Sequence, residues 1–226
     1  MRVSVVYSLV LAAALTGAAL PAAAAAGDAG AAVSPAEQRV FTDPHLDGLP
    51  ATATLHYDYR KREAGQPAVE DEAVLTMRRD EQRGRVVQLD YLHGERHVAL
   101  PEVDQATSNP LILYFLEADV RAMRRHLGGQ ENYFRRRIRL ALAEAAELRS
   151  VAVNHGGQMV EATEVAIRPY INDELQERFK GMAGKAYVFT LSTQVPGGVY
   201  ELRTVVDDAA GGGTPLVEER LTLRRE

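Results

Sequence analysis

Cysteine is absent from all 226 residues. Its absence excludes a thiol nucleophile, a cysteine zinc site, an iron–sulfur cluster and the disulfide framework of small secreted domains. It also excludes lipid attachment at a cysteine behind a signal cleavage site. Lysine is scarce as well, occurring only at Lys61, Lys180 and Lys185, so arginine carries most of the positive charge. Beyond residue 26 there is no second apolar run of about 18 residues, which leaves no helix able to span a bilayer. The sequence holds no H-E-x-x-H zinc helix, no G-x-S-x-G elbow and no glycine-rich phosphate loop after a strand. Ser150 and Ser192 therefore stand outside any recognisable nucleophile setting, and no internal repeat is visible.

The N-terminus carries the strongest signal in the chain. Arg2 provides a positive start, Val3 to Leu20 an apolar core, and Ala24 and Ala26 the small residues of a cleavage site. Residues 1–26 are expected to be an export signal, removed in the mature protein. The alanine-rich signal and the preference for arginine over lysine match a high-GC bacterium, so a periplasmic location is expected. Losing Arg2 takes the 26 basic side chains to 25, against 31 acidic ones. An acidic chain of this kind is not expected to bind nucleic acid. Residues 27–38 are small and polar without periodicity and read as a flexible leader, leaving 39–226 as one domain.

Two periodicities organise that domain. From 51 to 60, Ala53, Leu55, Tyr57 and Tyr59 alternate with Thr54, His56, Asp58 and Arg60, the period-2 pattern of a half-buried strand. The pattern recurs at 72–79 and 84–92, with a fourth short strand expected over 95–100. Asn109 as cap and Pro110 at the first helical position then open a helix through Ile112, Leu116, Val120, Met123 and Leu127. Gly128-Gly129 ends it, and a second helix is expected over 132–147 on the stripe Phe134, Ile138, Leu142 and Ala145. Strands are expected again at 148–153, 158–168, 185–193, 198–206 and 216–224, with two helical turns over 173–180 and a loose loop at 207–214. The expected fold is a single α+β domain, a curved antiparallel sheet of about nine strands with an inserted amphipathic helical hairpin packed on one face.

Charge is concentrated in that hairpin. Between Arg121 and Arg149 lie eight arginines, Arg121, Arg124, Arg125, Arg135, Arg136, Arg137, Arg139 and Arg149, opposed by Glu131, Glu144 and Glu147. Guanidinium groups bind carboxylate or phosphate bidentately, which suits an anionic headgroup or an acidic partner. The alternative is a solvated face balanced by neighbouring acids, with pairs such as Glu117 and Arg121. The histidines supply little: His93, Glu95 and His97 flank a turn that keeps them from sharing a face, and His56 with Asp58 lacks a nucleophile to assist. No metal site and no cofactor is expected.

An exported, cysteine-free domain with alternating strands at 51–60, 72–79 and 84–92, a helical lid at 109–147 and closing strands from 185 resembles the periplasmic carrier fold of the outer-membrane lipoprotein-sorting proteins. That family has an N-terminal helix before its first strand, which only Ser34 to Val40 could supply here, and no family residue carries over by number. The resemblance implies a carrier. On that reading a lipid or acyl ligand lies between sheet and lid, contacted by Tyr57, Tyr91, Phe115 and Met123, with Arg121, Arg124, Arg125, Arg135, Arg136, Arg137 and Arg139 at its headgroup. The competing reading is an interaction or scaffold module with a solid core that docks an acidic protein on the basic hairpin. An enzyme is the least supported, because no converging catalytic set assembles.

Overall fold

Period-2 sequences make strands only where each has a neighbour, and here every neighbour is antiparallel. In the computed structural model, which describes residues 32–98, 101–207 and 215–225, eight strands form one sheet. They are β1 (Thr52–Glu63), β2 (Val69–Asp80), β3 (Gly84–Tyr91), β4 (Glu147–His155), β5 (Gln158–Ile167), β6 (Ala186–Leu191), β7 (Val199–Val206) and β8 (Val217–Leu223). The expected export signal, the start of the leader and most of the 207–214 loop lie outside the described residues. The spatial order is β3-β2-β1-β8-β7-β6-β5-β4. Two meanders thus meet where the first strand pairs with the last, Tyr57 opposite Leu223 and Tyr59 opposite Leu221.

The register carries the apolar positions across the sheet in rows. Tyr91, Ala73, Tyr57 and Leu223 face one another on four successive strands. Tyr59, Leu221, Leu202, Phe189, Val165 and Leu148 do so on six. All of these are buried except Leu148, which lies at the end of its row on β4 and is 41% exposed. Opposed side chains on one face are the unit of sheet stabilisation, so these rows define the inward face.

Two helices supply the other wall of the core. α2 (Leu111–Leu127) and α3 (Glu131–Glu144) join the two outer strands of the sheet, following α1, a three-residue turn at Pro35–Glu37. Leu111, Ile112, Phe115, Leu116, Val120 and Met123 of α2 are buried with Phe134, Ile138 and Leu142 of α3, in one cluster with the sheet rows. The expected helix over 132–147 ends earlier, at Glu144, because β4 begins at Glu147.

Three expectations are corrected. The strand over 95–100 does not form, which leaves eight strands rather than nine; a 3₁₀ turn occupies Gly94–Arg96, and residues 99–100 lie outside the described residues. Asp71 on β2 is the cause. Its carboxylate accepts from the His93 amide, the His93 ring and Arg96, at 3.1, 2.6 and 2.9 Å, and so draws the chain into a turn. The leader also ends earlier than residue 38. Ser34 and Glu37 form a capping box around Pro35, the Ser34 hydroxyl donates to the Leu142 carbonyl at 3.0 Å, and Ala36 and Val40 are buried. The two α-helical turns expected at 173–180 are replaced by a 3₁₀ segment, Gln176–Met182.

Asn109 ties the start of α2 to two other elements. Its side-chain oxygen accepts from the Leu111 amide at 3.0 Å, while its amide nitrogen donates to the Tyr57 hydroxyl and to the Gly197 carbonyl at 3.1 and 2.8 Å. Its backbone N–H donates to His45 Nδ1 at 3.2 Å, and His45 Nε2 donates to the Arg39 carbonyl at 2.9 Å. Both imidazole nitrogens are thus committed to the neutral ring. Burial holds His45 below its ordinary value of 6.5, only partly offset by the Arg39 carbonyl.

Two tests follow from this corner. Gly198 has φ 71°, and a Cβ there would lie 2.7 Å from His45 Cβ and 3.0 Å from His45 Cα. Gly198→Ala is expected to lower unfolding free energy by about 2 kcal/mol or more, read from urea denaturation. The second test is pH dependence. A histidine whose folded pKa is depressed binds its proton more readily in the unfolded chain, so stability is complete above about 6.5 and falls as the pH drops below it. His93 is shifted upward by its hydrogen bond to Asp71, so its contribution is already complete below 6.5 and does not mask this slope. Urea midpoints should decline from pH 6.5 to 5 in the native protein and decline less in His45→Gln.

Candidate functional site

An acid in the buried stripe of an amphipathic helix needs a partner within the core. On α2 that acid is Asp119, one turn from Phe115 and from Met123, and only 3% exposed. Lys185, at the entry to β6 and 5% exposed, forms an ion pair with it, and the Tyr187 hydroxyl donates to its other oxygen at 2.5 Å. Tyr170 and Tyr187 join through their hydroxyls at 3.0 Å, which extends the network beneath α3. Burial first, then the Asp119 charge, drives the Tyr187 hydroxyl well above its ordinary range. A second knot lies beside it. Asp173 accepts from the Tyr133 hydroxyl at 2.5 Å and from the Leu175 amide at 2.8 Å, and pairs with Arg137 at 2.8 Å. The Arg137 guanidinium also donates to the Pro169 carbonyl at 3.0 Å. Burial and the Asp173 hydrogen bond push Tyr133 up to about 12.

The arginines of the hairpin divide into two groups. Arg135 reaches Glu117 at 2.6 Å and Glu131 at 2.8 Å, bridging α2 and α3. Arg121 pairs with Glu117 at 3.4 Å, Arg124 with Glu131 at 3.0 Å, and Arg149 with Glu164 on β5 at 3.1 Å. With Arg137 these are structural pairs. Arg125, Arg136 and Arg139 are exposed, and none makes an ion pair or side-chain hydrogen bond among the described residues. The structure thus separates the candidate cluster: five of its eight members are bonded within the molecule, and three are open to solvent.

The apolar candidates fall inside the core. Tyr57 is fully buried, Tyr91 is 1% exposed, Phe115 2% and Met123 3%, each within the cluster that joins sheet to helices. Tyr57 accepts from Asn109, the Tyr91 ring lies 6.1 Å from that of Tyr114, and Met123 Sδ sits 4.0 Å from Lys185 Nζ. A cleft of about 1170 Å³ lies elsewhere. It opens between residues 43–55, Glu161–Thr163 and the 191–198 turn. A groove of about 290 Å³ lies at the hairpin tip among Leu127, Tyr133, Phe134, Leu175 and Phe179.

The remaining polar candidates are drawn into local pairs. Asp58 binds Arg224 at 2.6 Å, Arg224 also reaches Glu72 at 3.0 Å, and His56 lies 3.7 Å from Glu72, so that combination is taken up in one local ion-pair cluster. His93 is held by Asp71, and the His97 ring lies 3.0 Å from the Leu92 carbonyl. Among the described residues no group of three or more His, Asp or Glu side chains converges as metal ligands would. Sequence reasoning missed Asp119 and Lys185. The available signal was an acid at a position where helical spacing demands an apolar residue, and one of the chain's three lysines directly before the apolar run Ala186–Leu191. No family model matches the chain, and no curated protein matches it.

Removing one partner of a buried ion pair strands the other's charge, whereas replacing both with apolar groups of similar size does not. Asp119→Leu or Lys185→Met alone is expected to cost about 3–5 kcal/mol, and the double variant far less than the sum. Urea unfolding of the four proteins measures this; additive costs would contradict the pairing.

Proposed function

We propose that the protein is an exported, periplasmic interaction module that docks an acidic partner protein on the outer face of its helical hairpin. The observation that carries this reading is that Arg125, Arg136 and Arg139 are exposed and without a bonded partner among the described residues, beside neighbours whose charges are already matched. An exposed guanidinium without an acid contributes little to folding, but it presents a planar fork to a partner carboxylate. Ion pairs across the rim of an interface chiefly raise the association rate and fix orientation, so the docking is salt-sensitive. The export half of the proposal rests on residues 1–26, with their positive start, apolar core and small-residue cleavage site.

The carrier reading asks more of the molecule. An acyl chain between sheet and hairpin would displace the contacts of Tyr57, Tyr91, Phe115 and Met123 and would separate Asp119 from Lys185. Breaking that pair without a substitute leaves two charges in an apolar interior. A packed, polar-pinned interface therefore favours the docking module over the carrier.

The test reverses the open charges and leaves the matched ones intact. Arg125→Glu/Arg136→Glu/Arg139→Glu is expected to change stability by no more than about 0.5 kcal/mol per site. The same triple change abolishes salt-sensitive recovery of an acidic protein from an extract of the exported fraction. Arg137→Ala, by contrast, is expected to destabilise by about 2 kcal/mol through Asp173. Stoichiometric lipid in organic extracts of the purified protein, or unfolding by the triple reversal, would overturn the proposal.

A further inference from the structure

The two outer strands of the sheet are treated differently by the chain. β3 is covered: Val87 and Val103 exchange backbone hydrogen bonds at 2.9 and 2.8 Å, and the amides of Gln105 and Ala106 donate to the Arg83 and Arg85 carbonyls at 3.2 and 3.1 Å. β4 is bare. Its nine residues pair with β5 on one side, and beyond that make no backbone–backbone hydrogen bond among the described residues; the Asn154 carbonyl alone accepts from a side chain, the Tyr200 hydroxyl at 3.3 Å. Six of the nine are exposed and three half-buried. Several usual protections of an edge are missing from β4, which holds no proline, no lysine and no bulge in its pairing with β5; its charged side chains, Glu147 and Arg149, lie at one end. The sheet's longest apolar row also ends there, at Leu148.

We propose that β4 is a self-association edge, on which a second copy of this chain adds its own β4 antiparallel to form a continuous sixteen-stranded sheet about a two-fold axis. The sequence of the strand argues for this occupant. A two-fold axis normal to the sheet keeps the inward faces of both copies on one side, so residues of like parity must oppose each other. Only the register centred on Val151 pairs all nine residues. In it Glu147 meets His155 of the second copy at both ends, Arg149 lays its stem against Val153, Ser150 meets Ala152, and Val151 meets its own symmetry mate. No like charges face each other, and the Arg149 head is already held by Glu164. Centring the strands on Arg149 would instead set two guanidinium groups in opposition, and the repulsion disfavours it. An interface made of one strand pair is small, so the association is concentration-dependent.

The absence of native cysteine allows a direct test on the full mature protein. Val151→Cys places two thiols across the axis and is expected to give a disulfide-linked dimer under mild oxidation. Leu113→Cys, exposed on α2, is the control and is expected to form no disulfide cross-link, although its β4 still associates. Light scattering of the native protein at about 100 µM should give twice the monomer mass. Val151→Lys, with an unchanged circular dichroism spectrum, should shift the protein to monomer, since two like charges then meet at the axis. A native protein that is monomeric at that concentration overturns the proposal. So does a dimer that survives Val151→Lys, or cross-linking no faster at position 151 than at 113.

Discussion

Asp119 and Lys185 set the seating of the helices on the sheet. Apolar contacts alone tolerate sliding and rotation, because one greasy surface fits another in many ways. A carboxylate on α2 that finds its ammonium at the start of β6, with the Tyr187 hydroxyl on its other oxygen, fits one position. Everything above the sheet inherits that placement. It sets which face of α2 is inward, it aligns Phe134 with Tyr170, whose rings meet edge to face at 6.2 Å, and it turns Arg125, Arg136 and Arg139 outward. The Asp173 knot does the same for α3 through Tyr133 and Arg137. Specificity of arrangement, more than net stability, is what a pair of this kind supplies in the present fold.

The functional reading grows from the same constraint. A hairpin pinned by polar groups within the core is suited to presenting a fixed outer surface. The surface it presents is basic in an acidic chain, and the ion pairs of Arg121, Arg124 and Arg135 hold their helical neighbours in register around the three open guanidinium groups. The residues that suggested a headgroup site thus divide into internal braces and three that stay open to solvent.

Much of the architecture was legible in the sequence, because it rests on local periodicity. The alternation at 51–60 marks β1, and of the positions read as one face Leu55, Tyr57 and Tyr59 are buried and Ala53 half-buried. The span from Asn109 to Gly128 marks α2 to within two residues, since cap chemistry and glycine punctuation are short-range. What escaped was set by partners distant in the chain. The turn at 94–96 forms because Asp71, more than twenty residues earlier, accepts from His93 and Arg96. The turn at 34–42 is held because Ser34 reaches Leu142, and Ala36 and Val40 find an apolar surface. For the charge cluster, spacing exposed the eight arginines, but their separation into bonded and open members depends on Glu117, Asp173 and Glu164.

The meeting of β1 with β8 has a kinetic consequence. Tyr57 and Leu223 face each other across a chain separation that encloses the hairpin and six strands, so the loop that must close before they touch is nearly the whole domain. The β4–β8 meander and the β1–β3 meander can each zip locally, but the seam that unites them waits for the final strand to emerge. A chain synthesised from its N-terminus therefore holds β1 with one open ladder until β8 arrives. During that interval the bare backbone of β1 is the most vulnerable stretch of the nascent molecule, and the speed of emergence governs how long the hazard lasts.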